Sequence, residues 1–294
     1  MASTINCFGN IALDLVMLCN SYPEEDSEQR IEDVHQRVGG NVANTMDVLA
    51  QFTQNVCWYG MLPDNSVAND VIQQLNKKKI HLTVKRIARH YRLPTSYILL
   101  NKMNGSRTIL HHRDMPEMCF NDFLALDYEK AQWCHFEVRN PDEQEKILKW
   151  IRKTNPDTRV SIEIEKYRKG FEKMVSIADY VFYSRKFAEH SGFSTANDFL
   201  KSVSHSDRVS FVAWGDGGAG FCKDDEVRWQ NCQSIKAVDT IGAGDVFNAG
   251  LIESLLQNYT EADALKFAVE LATKKCQQMG YQNLVMQSTS GPFE

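Results

Sequence analysis

The 294-residue sequence contains no apolar run that approaches the roughly 18 residues needed to cross a membrane. It also has no excess of basic residues, because 33 Lys and Arg stand against 38 Asp and Glu and give a formal net charge of −5. Such a balance provides no electrostatic footprint for nucleic acid. These absences exclude a membrane protein and argue against a nucleic-acid-binding protein, so we expect a soluble protein that handles small molecules.

The eight cysteines show neither a Cys-x-x-Cys pair nor a regular spacing. A structural zinc site or a disulfide framework would need such a pattern. The amino-terminal segment has an apolar run but no basic leader, and Asn6, Asn10 and Asp14 interrupt the run. A secretory signal is therefore not expected, and we predict a cytoplasmic protein whose thiols are mostly buried.

Short β-branched or aromatic runs alternate along the chain with longer amphipathic segments such as NVANTMDVLAQF, residues 41–52. This alternation predicts a mostly parallel sheet with helices on both faces, the α/β class. The sequence has no internal repeat, low-complexity tract or linker, so we expect a single domain over residues 1–294.

Four further segments break this rhythm, because strand patterns follow one another there in near succession. The last two are joined through Asn104 and Gly105, a favoured hairpin turn. We predict that the four form a small separate sheet that acts as a lid or a dimer surface. Its strands are expected at about 12–18, 28–38, 95–101 and 106–112.

The stretch AVDTIGAGDVFNAG, residues 237–250, places small residues and one carboxylate before an apolar helical pattern. It is not a dinucleotide-binding fingerprint, because Phe247 stands where that motif needs a third glycine. It is not a Walker loop either, since no glycine in the chain is followed by lysine. A protein-kinase interpretation of the His-Arg-Asp tripeptide at 112–114 also fails, because Cys119 replaces the required asparagine and no Asp-Phe-Gly follows.

Gly242, Ala243 and Gly244 leave the backbone N–H groups at the start of a predicted helix unobstructed. Free amides at a helix N-terminus bind an anion such as phosphate. Asp245 in the same turn can accept the proton of an attacking alcohol while the amides take up charge on the phosphoryl oxygens. The loop therefore predicts phosphoryl transfer, but on its own it leaves open a plain glycine turn with Asp245 as a helix cap.

GGNVANT, residues 39–45, and DTIGAGDVFNAG together resemble the two signature regions of the ribokinase-like sugar kinase family, in the expected order and about 200 residues apart. Other segments resemble fructose-phosphorylating members of this family along nearly the whole chain. They are YPEEDSEQR, RVGGNVANT, GSRTIL, EVRNPDEQ, VSIEIEK, FVAWGDGGA and KKC.

The resemblance implies a ribokinase-like three-layer sandwich with a mostly parallel central sheet and a small β-sheet lid, which clasps the lid of a second subunit in a homodimer. It also implies ATP-dependent phosphorylation of D-fructose at the 1-hydroxyl, which gives fructose 1-phosphate and ADP. Two alternatives stay open. One is a kinase of another sugar or nucleoside, such as ribose or adenosine, on the same fold, and the other is a non-catalytic sugar-sensing protein.

By this resemblance Asp245 is the base that takes the proton of the sugar hydroxyl, and the backbone of 242–244 forms the anion hole. The family's sugar-binding positions match Asp14, Gly40, Asn41 and Asn44. Fixed carboxylate and amide groups suit a polyol, although a solvent-facing strand residue is the alternative for Asp14. Asp26 corresponds to a lid residue that reaches the neighbouring subunit's sugar site, and a plain exposed acidic turn is its alternative.

The resemblance assigns the nucleotide to Arg107 and to a glycine-rich loop. Arg107, on a lid strand, would pair with the phosphates, for which a guanidinium is well suited; an exposed strand arginine is the alternative. The loop that would face the nucleotide consists of Gly215, Asp216, Gly217 and Gly218. Relatives often have bulkier acidic residues there, so we expect looser adenine contacts. Arg185 stands where relatives tend to carry lysine, which keeps the charge but changes the geometry.

Two cation contacts also follow from the resemblance. Asn140 and Glu143 form an Asn-x-x-Glu pattern that in this family helps to position Mg²⁺ and its waters near the phosphates. The same pattern suits a helix N-cap with an acid in the first turn, and both can hold at once. Asp239 and Thr240 fall where relatives bind a monovalent cation through loop oxygens. The expected cofactors are therefore ATP and Mg²⁺, with K⁺ as a further candidate.

Overall fold

The computed structural model describes residues 4–52 and 55–285. Its strands in chain order are β1 Ile5–Phe8, β2 Ala12–Cys19, β3 Asp33–Gly39, β4 Val56–Pro63, β5 Ile80–Ile87, β6 Thr95–Asn101, β7 Arg107–His112, β8 Trp133–Glu137, β9 Arg159–Ile164, β10 Tyr180–Ser184, β11 Val209–Ala213, β12 Ala219–Lys223 and β13 Glu226–Gln230. Its helices are α1 Asn41–Phe52, α2 Ser66–Lys77, α3 Phe120–Leu124, α4 Pro141–Thr154, α5 Glu172–Val175, α6 Arg185–His190, α7 Ala196–Ser202, α8 Ala243–Leu256 and α9 Glu261–Cys276.

A large nine-stranded sheet runs in the order β13-β12-β11-β10-β9-β8-β1-β4-β5. All neighbours from β5 to β11 pair in parallel, and only β12 and β13 join by antiparallel pairing. Helices α1, α2, α8 and α9 share one apolar core with one face of this sheet, while α3 to α7 share a second core with the other face. The predicted three-layer α/β architecture is confirmed. No helix in the two described ranges is long and apolar enough to span a membrane.

The small sheet contains four strands in the order β3-β2-β6-β7. Strand β2 pairs in parallel with β6, and the other two pairs are antiparallel. Strand β3 begins at Asp33 instead of the expected Glu28, because Asp33 lies opposite Leu18 and β2 ends one residue later, at Cys19. Glu32 still donates its backbone N–H to the carbonyl oxygen of Leu18, at 3.3 Å, but the residues before it have no part of β2 to pair with and form an exposed loop.

The two faces of the small sheet differ. Its inner face presents Val16, Ile98 and Leu100, which are buried together with Ile241 from the loop before α8. Its outer face is also apolar but partly exposed, and its rows follow the strand register. These rows are Leu15, Tyr97 and Leu110, and then Val34, Met17 and Leu99. The inner face thus fixes the sheet over one loop, and the outer face is left for another surface.

Helix α8 is buried along residues 245–256 and contains an acidic residue, Glu253, that is 7% exposed. Its Oε1 accepts a hydrogen bond from Gln257 Nε2 at 3.1 Å, but its Oε2 has no partner among the described residues. Burial raises the pKa of Glu253. A carboxyl group with a raised folded-state pKa stabilises the protein at low pH, and this contribution is lost as the pH rises through that value.

We therefore expect Glu253→Gln to stabilise the protein, with a gain that grows from acidic to mildly alkaline pH. Glutamine keeps the acceptor for Gln257 but cannot ionise, so a gain of about 1 kcal/mol is expected above neutrality. The measurement is thermal unfolding across the pH range. Glu270→Gln, an exposed change on α9, is the control and should show no such trend. If the stability of Glu253→Gln relative to the wild type falls as the pH rises, the raised pKa of Glu253 is contradicted.

Candidate active site

Most of the residues that the sequence analysis singled out lie at one edge of the large sheet, where its parallel strands end. Ligands in open α/β sheets bind outside the carboxyl ends of the strands. Helices α1 and α8 begin beside this edge and supply Asn41, Asn44 and Asp245. Strands β8 and β9 end there with Glu137 and, just beyond β9, Glu165. The site is thus built from rigid elements that are distant in the sequence.

The loop before α8 ends at Gly242, which is the N-cap residue of the helix and has a φ of +74°. A Cβ at this position would lie 2.0 Å from the hydroxyl oxygen of Tyr281. Both the backbone conformation and the close approach of Tyr281 therefore require glycine here. Ala243, Gly244 and Asp245 follow as the first three helical residues, as the sequence predicted.

Gly244 has no such structural reason to be glycine. It lies in the helix, it does not have a positive φ, and a Cβ added there would meet no atom of the described chain within 4 Å apart from its chain neighbours and the nearby backbone of α8. Alanine at a helical position is more favourable than glycine by roughly 0.5–1 kcal/mol. The open space over Gly244 is therefore consistent with the approach of a group that is not part of the chain.

Asp245 is 6% exposed, and its Oδ2 accepts a hydrogen bond from Asn44 Nδ2 at 2.7 Å. Burial raises the pKa of Asp245 well above its ordinary value, and the nearby Glu165 and Glu137 raise it further, against the hydrogen bond from Asn44. A carboxylate with a raised pKa is a stronger proton acceptor near neutrality. Its environment therefore suits a general base.

The helix-cap alternative for Asp245 can be judged against α9. There Asp263 occupies the same third helical position and accepts a 2.6 Å hydrogen bond from the hydroxyl of Thr260, the N-cap residue. In α8 the N-cap residue is Gly242, which makes no side-chain cap, and the carboxylate of Asp245 turns to α1 instead. Asp263 is therefore part of a cap, whereas Asp245 is directed into the site.

Three further carboxylates lie near Asp245, and the sequence analysis gave them no role. Glu137 and Glu163 face each other in the register of β8 and β9, and both are buried. Asn41 Nδ2 donates to Glu163 at 3.1 Å and to Glu165 at 3.2 Å, while Glu163 Oε2 has no partner in the described chain. Burial raises the pKa of both Glu137 and Glu163. Charged residues within the apolar run VSIEIE were the available signal, since an ion in such a strand is costly.

The predicted sugar residues come from two elements, the small sheet and the start of α1. Asp14 is buried on the inner face of the small sheet, opposite Arg37 in register, and burial raises its pKa against the effects of Ser96 and Arg37. Gly40 has a φ of +99°, and a Cβ there would lie 2.4 Å from the carbonyl oxygen of Asn10. Asn41 and Asn44 follow directly on α1, so Gly40 and the two asparagines lie together at the start of this helix.

Asp26 is not part of this buried group within one chain. It lies in the exposed loop between β2 and β3 with a φ of +55°. Its predicted contact with a neighbouring subunit stays a prediction.

The small sheet is tied to the loop before α8. Arg107, at the start of β7, donates from NH1 to the hydroxyl of Thr240 at 2.7 Å, and that hydroxyl lies 3.3 Å from the carbonyl oxygen of Gly105. Arg107 is exposed and therefore available to a ligand at the start of α8. Because Ile241 also packs under the sheet, any movement of the sheet bears directly on the residues at the start of α8.

The glycine-rich loop follows β11 at the same edge of the large sheet. Its residues 215–217 form a short 3₁₀ turn, and Gly218 has a φ of +105°. The side chain of Asp216 is fully exposed. Arg185, which begins α6 after β10, places its guanidinium 5.5 Å from the ring centre of Trp214 and 4.0 Å from Asp216. The loop and Arg185 thus form one exposed surface.

Asn140 and Glu143 lie at the start of a helix, as the alternative to a magnesium role requires, but the side chain of Asn140 makes no cap hydrogen bond. Asn140 is the N-cap residue of α4, and Glu143 lies in the first turn. The carboxylate of Glu143 accepts from the backbone N–H of Phe120 at 2.7 Å and from Lys146 Nζ at 2.5 Å. No described contact joins either residue to Asp245, so their role near Mg²⁺ stays a prediction.

Asp239 does not fit the expected contact with a monovalent cation. Its side chain is completely buried, its Oδ2 lies 2.9 Å from Lys275 Nζ and 3.7 Å from an Arg37 nitrogen, and its Oδ1 accepts from Ile241 N at 2.9 Å. Lys275 Nζ also donates to the carbonyl oxygen of Asp239 at 2.8 Å. Burial opposes ionisation, but the Lys275 ammonium holds the pKa of Asp239 below its ordinary value. The carboxylate of Asp239 is thus already paired with two cationic side chains, those of Lys275 and Arg37.

The sequence model of the pfkB family carbohydrate kinases matches residues 2–288. Ketohexokinase of Mus musculus is 31% identical over 293 residues, which cover 96% of this chain and 98% of the mouse protein.

Two solved structures are similar in fold. A putative ribokinase from Agrobacterium tumefaciens superposes with a TM-score of 0.79 at 19% identity, covering 95% of this chain and 93% of that chain. The adenosine kinase from Sinorhizobium meliloti gives a TM-score of 0.80 at 17% identity, covering 97% of both chains. At such identities the likeness shows the fold alone, and it confirms the predicted ribokinase-like fold.

Proposed function

The chain belongs to the pfkB family of carbohydrate kinases, and we propose that it is a ketohexokinase that uses ATP to phosphorylate the 1-hydroxyl of D-fructose, giving fructose 1-phosphate and ADP. One observation carries the proposal for the chemistry. A buried carboxylate with a raised pKa, Asp245, directly follows Gly244, over which the chain leaves open space. Similarity to the mouse ketohexokinase over almost the full length of both proteins supports the choice of sugar.

In the proposed reaction the sugar hydroxyl attacks the γ-phosphorus in line. Asp245 accepts the proton of that hydroxyl as the new bond forms. The amides at the start of α8, from Gly242 to Gly244, take up the charge that develops on the phosphoryl oxygens. Because the base and the amides belong to one helical turn, their relative position is fixed before the substrates bind.

Sugar kinases of this family use ATP and Mg²⁺. In residues 4–52 and 55–285 no three His, Cys, Asp or Glu side chains cluster as a metal site. This suits an ion that keeps most of its waters and binds mainly through the nucleotide phosphates. When bound, Mg²⁺ supplies positive charge to the transferred phosphoryl group. Glu163, which is buried, and Glu165, which is partly exposed, are carboxylates near Asp245 that can support its waters.

The proposed sugar site uses the polar groups around the start of α1. Asp14 and Asn41 offer a carboxylate and an amide for sugar hydroxyls, and Asn44 Oδ1 is a buried acceptor without a partner among the described residues. A site whose polar groups need a hydroxyl partner discriminates against ligands that lack it. Arg107 and the glycine-rich loop at 215–218 are the proposed nucleotide contacts, for the phosphates and the base respectively.

The experiment is a coupled ADP-release assay with D-fructose, tagatose, ribose and adenosine. We expect kcat/KM to be highest for a ketose, with fructose first. A higher kcat/KM for ribose or adenosine would show that fructose is not the preferred substrate. It would favour the alternative of a ribose or adenosine kinase on the same fold. Sugar binding without ADP release from any of the four would instead favour a sugar-sensing protein.

We further propose that the small sheet is a lid that pairs with the lid of a second copy. The support is its apolar outer face, on which Leu110 is 64% and Tyr97 is 44% exposed. A contiguous exposed apolar surface of this kind marks an interaction site. In such a pair Asp26 would reach the sugar site of the partner.

Leu110→Glu is expected to convert a dimer into a 33.6 kDa monomer, because it places a charge in the middle of the proposed interface. Light scattering measures the mass, and the fructose assay reports the accompanying loss of activity. Val67→Glu, a similar change at an exposed position of α2, is the control and should leave the dimer intact. If the wild-type protein is already monomeric, the pairing of lids is refuted.

We also propose a cytosolic location. All eight cysteines are free thiols in the structure. This is what a reducing compartment maintains.

A further inference from the structure

Lys275, in the last turn of α9, is a lysine that is 0% exposed. Its Nζ donates to the carbonyl oxygen of Asp239 at 2.8 Å and lies 2.9 Å from the carboxylate of the same residue. Nζ is also 5.5 Å from the ring centre of Tyr281. A lysine is almost never buried this fully unless it is paired, so this ammonium is a built part of the structure beneath the loop that precedes α8.

Both carboxylate oxygens of Asp239 already have partners within the chain. Oδ1 accepts from Ile241 N at 2.9 Å, and Oδ2 accepts from Gly280 N at 3.2 Å in addition to facing Lys275 and Arg37. A potassium ion needs several oxygens directed at one point. Here an ion would either have to displace the ammonium or add a third positive charge beside one carboxylate.

The same contacts connect the ammonium to the start of α8. Asp239 holds the backbone at Ile241, and Tyr281 lies against the bare Cα of Gly242. Both Asp239 and Tyr281 border Lys275. Lys275 can therefore influence the position of the anion-binding amides without touching a substrate.

We propose that the ammonium of Lys275 is a built-in monovalent cation, which positions the loop from Asp239 to Gly242 and makes the enzyme independent of potassium. Lys275 is a positioning residue in this scheme, since it acts through Asp239. The inference rests on the proposed kinase function, because only the loop's role in phosphoryl transfer gives this position a consequence for catalysis.

The first test uses the wild-type protein in KCl, NaCl and tetramethylammonium chloride at equal ionic strength. We expect kcat for the sugar, and the thermal midpoint measured without substrates, to be the same in all three salts within about twofold and about 1 °C respectively. Potassium-specific activation of about fivefold or more, or a potassium-specific rise in the midpoint, would overturn the proposal. The thermal measurement needs no turnover, so it stays informative even if the assigned substrate is wrong.

The second test removes the ammonium with Lys275→Ala. We expect kcat to fall by about tenfold or more while KM for fructose changes by less than about threefold. Because the vacated space borders Asp239 and its carbonyl oxygen, K⁺ or NH₄⁺ should restore part of kcat and raise the thermal midpoint of this variant only. Lys274→Ala, which removes the neighbouring partly buried lysine, should show neither effect.

An unchanged kcat in Lys275→Ala, or a loss of kcat that neither ion reverses, would contradict the positioning role. If the variant folds only when K⁺ or NH₄⁺ is present, the ion has replaced the ammonium and the proposal is supported. If it folds in none of the salts, the wild-type comparison decides the question of potassium dependence.

Discussion

Replacing Asp245 by asparagine is expected to lower kcat by about 10³-fold, within the range that general-base removal produces. Asparagine has the same shape, and its side-chain oxygen can still accept the hydrogen bond that Asn44 donates at 2.7 Å. It cannot take up the proton of the sugar hydroxyl. The dissociation constant for fructose should therefore change by less than about fivefold, so that the loss lies in turnover. Steady-state kinetics and calorimetric titration with fructose measure the two quantities.

The matched control is Asp263→Asn, the same change at the third position of α9. Asp263 is exposed and belongs to a helix cap, so this variant should lose up to about 1 kcal/mol of stability and keep its kcat. Asp245→Asn should instead lose kcat and keep or gain stability, because it removes a buried charge. If Asp245→Asn turns over at the wild-type rate, Asp245 is only a structural residue.

The raised pKa of Asp245 gives this prediction a dependence on pH. Burial raises the pKa of Asp245, and the nearby Glu165 and Glu137 act in the same direction. Only the ionised carboxylate accepts a proton, so kcat/KM should fall as the pH is lowered through a value above the ordinary pKa of aspartate. This acidic limb should be absent from the residual activity of Asp245→Asn.

Much of the fold was predictable because local patterns and tertiary packing agree along the chain. The amphipathic segment at 41–52 matches α1, and its buried apolar residues Val42, Met46 and Leu49 recur with helical spacing. Strands β6 and β7 were predictable from their composition and from the turn at Gly105, whose φ is +69°. The start of β3 was not, because it depends on where β2 ends. That is a property of the pair and not of either segment.

The residues of the candidate site also divide into those that were predictable from the sequence and those that were not. The residues at the start of α8 were predictable because glycine, alanine and aspartate have a recognisable meaning before a helix. The neighbouring Glu137 and Glu163 were missed because their proximity arises from the parallel register of β8 and β9. Lys275 was missed for a related reason. In the sequence it is one of two adjacent lysines, and only the fold buries one of them against Asp239.

Gly244→Ala is expected to lower kcat/KM for ATP by about 10²-fold without destabilising the protein. The added methyl group would meet no atom of the described chain within 4 Å apart from its chain neighbours and the nearby backbone of α8, so it should fit the folded enzyme. It would, however, occupy the space through which a phosphate reaches the amides at the start of α8. Since alanine is the better helix former, the thermal midpoint should stay the same or rise slightly.

Two comparisons separate this effect from general damage to the helix. Gly242→Ala should instead unfold the protein or disrupt the loop, because its methyl group would lie 2.0 Å from the Tyr281 hydroxyl oxygen at a φ of +74°. Ala262→Gly makes the reverse exchange at the second position of α9 and should cost roughly 0.5–1 kcal/mol with kcat/KM unchanged. A Gly244→Ala enzyme that is stable and fully active with ATP would show that no phosphate approaches this turn, and the anion hole would have to lie elsewhere.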